Sequence, residues 1–157
     1  MTLRRWDLFD SLVSLRRYPG RLLDDRFFLI NGDTLCDVDL RELLDAHLAR
    51  NARVTLAVTP NPAPRRYGGV LANADGSVRG FARAGDPRDS AHFVGVQIAD
   101  ASVFETLRDG DPAASIGGLY DTLLAHPGQV AAHHIVGRVH DIGTTADYLE
   151  TARAVAA

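Results

Sequence analysis

The first residues with the potential for chemistry are a carboxylate and the apolar run that stops just before it. The run is Phe27–Ile30, and Asn31-Gly32-Asp33 follows it. A short unbroken apolar run is typical of a strand buried on both faces, as in a parallel sheet, and Asn-Gly breaks a strand. Asp33 is therefore expected beyond the carboxyl end of a central strand, where α/β sheets bind ligands and where a carboxylate suits Mg²⁺. The alternative is that Asp33 caps the following helix, since Asp is a preferred N-cap residue.

A second aspartate, Asp141, lies near the other end of the chain in the stretch Val139–Leu149. That stretch has the sequence Val-His-Asp-Ile-Gly-Thr-Thr-Ala-Asp-Tyr-Leu. Together the two stretches resemble the paired signatures of the sugar-1-phosphate nucleotidylyltransferases, of the mannose-1-phosphate guanylyltransferase or glucose-1-phosphate type. The resemblance implies transfer of a nucleotidyl group from a nucleoside triphosphate to a hexose 1-phosphate, giving a nucleotide-sugar and pyrophosphate. It also implies that Asp33 and Asp141 are catalytic and share the cofactor Mg²⁺.

Two glycines match stretches that bind the sugar in this family. Gly69 lies in Tyr67–Leu71, where the family's glycine lets the sugar approach the backbone. Gly95 lies in His92–Ile98, which is similar to the family's Asn-x-Gly-Ile-Tyr stretch. From the residues alone, Gly69 can equally be a β-bulge or the start of a strand.

Other positions depart from the family pattern. Where the family has Phe-x-Glu-Lys-Pro, this chain lacks the glutamate and the lysine, and Arg83 is the candidate for the positive charge at the substrate. The alternative for Arg83 is an ordinary surface arginine. Phe93 takes the place of the family's asparagine, and Thr145 replaces the usual proline.

The region before Asp33 also departs from the family. Family members open with a strand and a loop, Gly-Gly-x-Gly-Thr-Arg-Leu, whose backbone N–H groups cradle the triphosphate. This sequence contains no such loop. Residues 1–26 are atypical, and their apolar spacing from Trp6 to Val13 predicts an amphipathic helix. The chain, 1–157, is thus predicted to be a single partial, N-terminally truncated nucleotidyltransferase domain with a family-like core over 27–157. Loss of the first strand predicts marginal stability or self-association.

Two other functions stay open on the sequence. One is a non-catalytic remnant that binds sugar phosphate or a partner chain without turnover. The other is a phosphoacceptor or phosphatase-like α/β domain in which Asp33 is the nucleophile. Such domains usually have further carboxylates or a downstream lysine; Asp37 and Asp39 are near, but the chain has no lysine.

The periodicity of the remaining chain predicts an α/β domain. Helices are predicted over 37–50, 102–107, 115–125 and 146–156, strands over 54–58, 78–82, 92–98 and 130–139, a hairpin turn at 73–77 and an exposed loop over 59–66. With the resemblance, this order implies a three-layer, Rossmann-like (GT-A-like) core with a mostly parallel mixed sheet. His47 is predicted on the surface of the first helix.

Composition argues against several classes of protein. The chain has 157 residues, of which 46% are hydrophobic and 24% charged, as in a single globular domain. The net charge of −3 favours neither a nucleic-acid nor a membrane partner, and no apolar run suits a membrane span or a secretory signal. The single cysteine, Cys36, excludes an internal disulfide. Adjacent His133 and His134 would point to opposite faces of a strand, so they cannot easily share one metal ion. The cytoplasm is the expected location.

Overall fold

A computed structural model describes residues 26–107 and 114–156 of the chain. The helix predicted from Trp6 to Val13 lies outside these residues. The described elements, in chain order, are β1 Arg26–Ile30, β2 Thr34–Cys36, α1 Leu40–Arg50, β3 Val54–Pro60, β4 Gly69–Ala72, β5 Val78–Ala82, β6 Ala91–Asp100, a 3₁₀ turn Ala101–Phe104, an irregular helical turn Ser115–Leu119, α2 Tyr120–Leu123, β7 Val130–His134, β8 Val139–Asp141 and α3 Thr145–Ala156. None of the described helices is long and apolar enough to cross a membrane.

The main sheet has six strands in the order β5-β4-β6-β3-β7, and β1 also pairs with β6. The predicted α/β class and mixed sheet are confirmed. The prediction of a mostly parallel sheet is wrong, because only β3 and β7 run parallel among the described strands. The ten-residue β6 runs between β1 and β3 and is antiparallel to both. The short turn at 73–77 joins β4 to β5, and so short a connection can join only antiparallel strands.

Side chains of β3 enter the core on both faces of the sheet. Val54, Leu56 and Val58 are fully buried on one face, together with Tyr120 of α2. Ala57 lies on the other face with Leu43 of α1, which is also fully buried. Burial of each Val or Leu contributes roughly 1.5–3 kcal/mol of transfer free energy, so packing on both faces holds the sheet between its helices.

Helix α1 begins where a side chain satisfies its first free N–H groups. Asp39 Oδ1 accepts hydrogen bonds from the backbone N–H groups of Arg41 and Glu42 at 2.8 and 3.0 Å. Asp39 is therefore the N-cap, and the alternative that Asp33 caps this helix is wrong. The prediction that His47 lies on the surface is also wrong, because only 1% of this residue is exposed. His47 faces the sheet, where its Nδ1 lies 2.9 Å from Thr55 Oγ1.

Several predicted boundaries change in the structure. The loop predicted from residue 59 begins later, because β3 continues to Pro60 and pairs there with Ala91. The helix predicted over 115–125 opens with a turn whose second and third residues have non-helical backbone angles, and only Tyr120–Leu123 is α-helical. The predicted hairpin turn at 73–77 and the returning strand over 78–82 are confirmed.

The strand predicted over 130–139 divides into β7 and β8, and this division forms the site described below. β7 stays in the main sheet beside β3, whereas β8 leaves it and pairs with β2 in a separate two-stranded ribbon. Gly137 lies between them, where an added Cβ would stand 2.7 Å from the carbonyl oxygen of Asp37. A side chain there would push the two segments apart, so glycine is needed for the ribbon to form.

Candidate active site at the β2–β8 ribbon

The ribbon brings the two predicted aspartates to the same place. Antiparallel pairing sets Thr34 opposite Asp141, and the backbone N–H of Ile142 donates to the carbonyl oxygen of Asp33 at 2.8 Å. Asp33 lies in the turn between β1 and β2, and Asp141 is the last residue of β8. Residues more than a hundred positions apart in the chain therefore become neighbours through main-chain hydrogen bonds.

Both carboxylates face the space over Gly143. A Cβ placed on Gly143 would lie 3.1 Å from Asp141 Oδ1 and 3.8 Å from Asp33 Oδ2. The N–H of Gly143 donates to Asp141 Oδ1 at 2.9 Å and orients that carboxylate. Because glycine has no side chain, the space between the two carboxylates stays open to a ligand.

Oxygen donors arranged in this way suit a hard divalent cation. Within residues 26–107 and 114–156, no group of three or more His, Cys, Asp or Glu side chains is placed to hold a metal ion. A cation over Gly143 would thus take two carboxylates from the described protein and its other ligands from water or phosphate. Mg²⁺ has this preference, since it keeps several waters and usually binds through one or two carboxylates and the phosphates of its substrate.

A pocket of about 460 Å³ opens beside Asp141. This volume is within the range of small-molecule sites. Its lining comes from the end of β3 and the loop after it, from β6, from β8 with the preceding Gly137, and from α3. The residues are Thr59, Pro60, Pro62, Ala63, Arg66, Tyr67, His92, Gly137, Val139, His140, Asp141, Asp147, Glu150 and Thr151.

An ion pair crosses this pocket. Arg66 Nη2 donates to Asp147 Oδ2 at 2.6 Å, and the hydroxyl of Thr144 donates to the same oxygen at 2.6 Å. The Arg66 side chain hydrogen bond, followed by that of Thr144, lowers the pKa of the Asp147 carboxyl. The Arg66 guanidinium also lies over the Tyr67 ring, 4.9 Å from its centroid. The loop after β3 is thus joined to the first turn of α3.

Tyr67 and His92 form the wall between this pocket and a second one. Their ring centroids are 4.7 Å apart. Burial, with the Asp141 carboxylate nearby, raises the pKa of the Tyr67 phenol. Burial also lowers the pKa of His92, and Asp141 opposes that shift. Both rings are therefore uncharged at neutral pH and present polar edges beside Asp141.

The second pocket has a volume of about 240 Å³ and is apolar. The residues described there are Tyr67, Gly68, Gly69, Val70, Phe81, Ala82, His92, Phe93 and Ile116. None of these carries a formal charge at neutral pH, in contrast to the acidic and basic groups of the first pocket. The two pockets together make a site with a charged end and an apolar end.

The structure separates the three predicted sugar-binding residues. Gly69 lines the apolar pocket, but an added Cβ would collide with the Ser90 side chain, so packing within the sheet already requires a glycine. It is the first residue of β4, as the strand-start alternative predicted. Arg83 is exposed and is not among the described residues of either pocket.

Gly95 also lies outside the described lining of both pockets. Its φ of +79° occurs at an irregularity in β6, where Leu56 pairs with Gln97 but Val58 pairs with Phe93. Its carbonyl oxygen accepts from the N–H of Asn31 at 2.8 Å, which fixes the turn leading to Asp33. Gly95 therefore positions the backbone before a predicted catalytic residue, rather than lining a pocket.

The sequence reasoning missed the Arg66–Asp147 pair and the partnership of Tyr67 with His92. Arg66 and Tyr67 directly precede the glycine pair, and Asp147 lies inside the second aspartate stretch, so each was close to a recognised motif. Their pairing joins the loop after β3 to α3, and no spacing along the chain indicates that contact.

Known proteins share both the sequence pattern and the fold. A family model described as nucleotidyl transferase matches residues 16–157. The chain is 37% identical over 92 residues to the D-glycero-alpha-D-manno-heptose 1-phosphate guanylyltransferase of Aneurinibacillus thermoaerophilus, covering 59% of this chain and 40% of that protein. It is 28% identical over 133 residues to the mannose-1-phosphate guanylyltransferase of Mycobacterium tuberculosis, covering 83% of this chain and 37% of that protein. The chain thus spans about two fifths of the length of these relatives.

Solved structures agree on the fold. The crystal structure of HddC from Yersinia pseudotuberculosis superposes with a TM-score of 0.71 at 20% identity, over 92% of this chain and 60% of HddC. HddC complexed with GMP-PN gives a TM-score of 0.68 at 18% identity. At these identities the likeness concerns the fold alone. The relatives are of the kind that the two aspartate stretches predicted, and that prediction is confirmed.

Proposed function

We propose that this chain, which belongs to the nucleotidyl transferase family, acts as a sugar-1-phosphate nucleotidyltransferase domain. In the proposed reaction, a phosphate oxygen of a hexose 1-phosphate attacks the α-phosphorus of a nucleoside triphosphate. The new P–O bond forms as the α–β phosphoanhydride bond breaks, and pyrophosphate leaves with the electron pair. The protein's task is to position the reactants and stabilise charge, with no covalent intermediate.

The observation that carries the proposal is the placement of Asp33 and Asp141 around the space over Gly143. Oxygen donors from two distant parts of the chain suit Mg²⁺, which would offset the charge of the triphosphate and of the leaving pyrophosphate. Asp141 is oriented by the N–H of Gly143, and Asp33 is held through the bond between its carbonyl and Ile142. These contacts orient the Asp141 carboxylate and hold the backbone of Asp33 before any substrate binds.

The apolar pocket is our candidate for the sugar ring. It adjoins the charged pocket at Tyr67 and His92, so a sugar there would place its phosphate toward Asp141. The phenol and the neutral imidazole can exchange hydrogen bonds with sugar hydroxyls, while Phe81 and Phe93 offer apolar surface to the C–H groups of the ring. Gly69 keeps the role of a sugar-side residue in this proposal, whereas Arg83 and Gly95 do not contact the sugar.

The relatives' names support the choice of substrate. Two of them are named as guanylyltransferases that act on a heptose 1-phosphate and on mannose 1-phosphate. A related fold has been crystallised with GMP-PN. Since the chain spans 40% and 37% of those two relatives, their complete activity is part of what we propose for it.

The proposal is tested by calorimetry with guanosine triphosphate and hexose 1-phosphates, with and without Mg²⁺. Wild type is compared with Asp33→Asn and Asp141→Asn, which keep the shape of each side chain but remove its charge. Asp45→Asn is the matched control, because Asp45 is exposed on α1 and is not among the described residues of either pocket. We expect Mg²⁺-dependent triphosphate binding in wild type and in the control, and its loss in the other two variants. Pyrophosphate release is then measured on the same four proteins.

Equal triphosphate binding by all four proteins would overturn the role of the aspartate pair. Binding of a hexose 1-phosphate without triphosphate binding or turnover would favour the non-catalytic alternative. An acyl phosphate formed on Asp33 would favour the phosphoacceptor alternative, and mass spectrometry of the treated chain detects it.

A further inference from the structure

The charged pocket needs a cation at the substrate phosphate, and the chain has few ways to supply one. A phosphate monoester carries up to two negative charges, and an arginine or lysine can offset them beside the acidic groups of this site. The chain contains no lysine, so each of its 17 basic residues is an arginine. Arg83, predicted from the family pattern, is not among the described residues of the pocket.

Arg66 is the one guanidinium among the described residues that line the charged pocket. Three other arginines that the structure describes form ion pairs elsewhere. Arg138 donates to Asp37 at 3.0 Å, Arg88 to Asp86 at 2.6 Å and Arg26 to Asp100 at 2.9 Å. None of these three belongs to the described pocket lining. Among the described arginines, Arg66 is therefore the one placed to supply a positive charge in the charged pocket.

The surroundings of Arg66 hold its guanidinium in place without using up its donors. Asp147 accepts from Nη2, and the Tyr67 ring supports the planar group from one side. The Arg66 side chain is still 51% exposed, whereas that of Asp147 is 12% exposed. A guanidinium has five N–H donors, so a fork remains that matches the oxygens of a phosphate.

We propose that Arg66 binds the phosphate of the sugar 1-phosphate, with Asp147 and Tyr67 as positioning residues. The inference rests on the proposed function of the same pocket and names the residue that supplies its positive charge. Asp141 lines the same pocket as Arg66 and lies next to the space over Gly143. The phosphate would then lie between the guanidinium and the metal-binding carboxylates, with one oxygen free for attack.

The test is calorimetric titration of hexose 1-phosphate, the corresponding free hexose and inorganic phosphate into three proteins. These are wild type, Arg66→Gln and the control Arg65→Gln, whose neighbouring arginine is exposed and not among the described pocket residues. A lost charge-assisted hydrogen bond is expected to weaken hexose 1-phosphate binding in Arg66→Gln by roughly 10- to 100-fold. Binding by Arg65→Gln should equal that of wild type, and free hexose should bind equally to all three.

Chemical rescue adds a measurement that a merely structural role would not change. In Arg66→Ala, added guanidinium at low millimolar concentration should restore part of the hexose 1-phosphate affinity, while urea at the same concentration should not. Circular dichroism at each condition checks that the fold is retained. Equal weakening in Arg65→Gln, equal loss for free hexose, or no rescue would each overturn the proposal.

Failure of the Arg66 proposal can be distinguished from failure of the proposed nucleotidyltransferase function. If Asp33→Asn loses Mg²⁺-dependent triphosphate binding while Arg66→Gln binds hexose 1-phosphate as wild type does, the phosphate role of Arg66 is wrong and the nucleotidyltransferase proposal stands. If wild type binds neither hexose 1-phosphate nor inorganic phosphate, the Arg66 proposal is overturned, and the triphosphate titrations still decide the role of the aspartates.

Discussion

Gly95 joins the stability of β6 to the position of Asp33, and replacing it tests that connection. Its φ of +79° is one that residues with a side chain rarely adopt. An added Cβ would also lie 2.9 Å from Asn31 Cβ and 3.0 Å from Thr34 Oγ1. The Asn31 Cβ is fixed by its backbone and cannot rotate away. Gly95→Ala must therefore strain the left-handed backbone and also push aside the turn before Asp33.

Gly85 is a matched control for that substitution. Its φ is +84°, but an added Cβ would meet nothing within 4 Å. Gly85→Ala thus carries only the conformational cost, roughly 1–2 kcal/mol. Gly95→Ala carries that cost and an overpacking cost of roughly 1–3 kcal/mol, which gives a total loss of about 2–5 kcal/mol in unfolding free energy. For a chain of this size the loss lowers Tm by roughly 2–4 °C per kcal/mol.

Urea denaturation followed by far-UV circular dichroism measures both variants against wild type. Gly95→Ala should also bind Mg²⁺-triphosphate more weakly than Gly85→Ala, because the bond from Asn31 N–H to the Gly95 carbonyl holds the turn that carries Asp33. If the two variants differ by less than about 0.5 kcal/mol, the close contact with Asn31 is not the source of the cost, and the reasoning from packing fails.

Three further predictions concern α1. Leu43→Ala should cost roughly 2–5 kcal/mol of unfolding free energy, because Leu43 is fully buried. Leu48→Ala on the same helix should cost little, since Leu48 is 48% exposed. Equal losses of unfolding free energy in urea melts would contradict this prediction. Burial lowers the pKa of His47 below its ordinary value of 6.5, so the unfolded chain binds the proton more readily and stability should fall as pH drops below 6.5. His47→Gln should show a smaller fall than wild type in melts from pH 7.5 to 5, and an unchanged pH dependence would count against a neutral buried imidazole. Asp39→Ala should cost about 1 kcal/mol through loss of the N-cap, with Asp45→Ala as the exposed control on the same helix; a difference near zero would show that the cap contributes nothing.

Much of the fold was predictable because its signals are local. The apolar run before Asp33, the Asp-Gly turn at 75–76 and the alternation in β6 each depend on neighbours in the chain. Sheet direction depends instead on which strands pair. The sequence of β1 is apolar enough to resemble a buried parallel strand, yet β1 is only partly buried and its described partner is the antiparallel β6. An apolar run alone does not distinguish the two cases.

Two individual residues illustrate the same division between local and distant information. The sequence analysis predicted His47 on the surface of the first helix, but the face of α1 on which it lies packs against Thr55 of β3. Gly95 matched a sugar-binding stretch, but its positive φ and its contact with Asn31 give it a backbone role. For both residues, the contact that sets their role is made by a residue outside their own helix or strand, Thr55 for His47 and Asn31 for Gly95.

The sequence by itself determined the family and predicted the two aspartates as site residues beside turn-forming residues, because residue type and local spacing carry that information. Only the tertiary structure decided that β8 leaves the main sheet to pair with β2, which brings Asp33 and Asp141 to one space over Gly143. It likewise decided that Arg66, rather than Arg83, stands in the charged pocket. The physical reason is that hydrogen bonding between strands and ion pairing between distant segments depend on separations in space, which the order of residues along the chain does not specify.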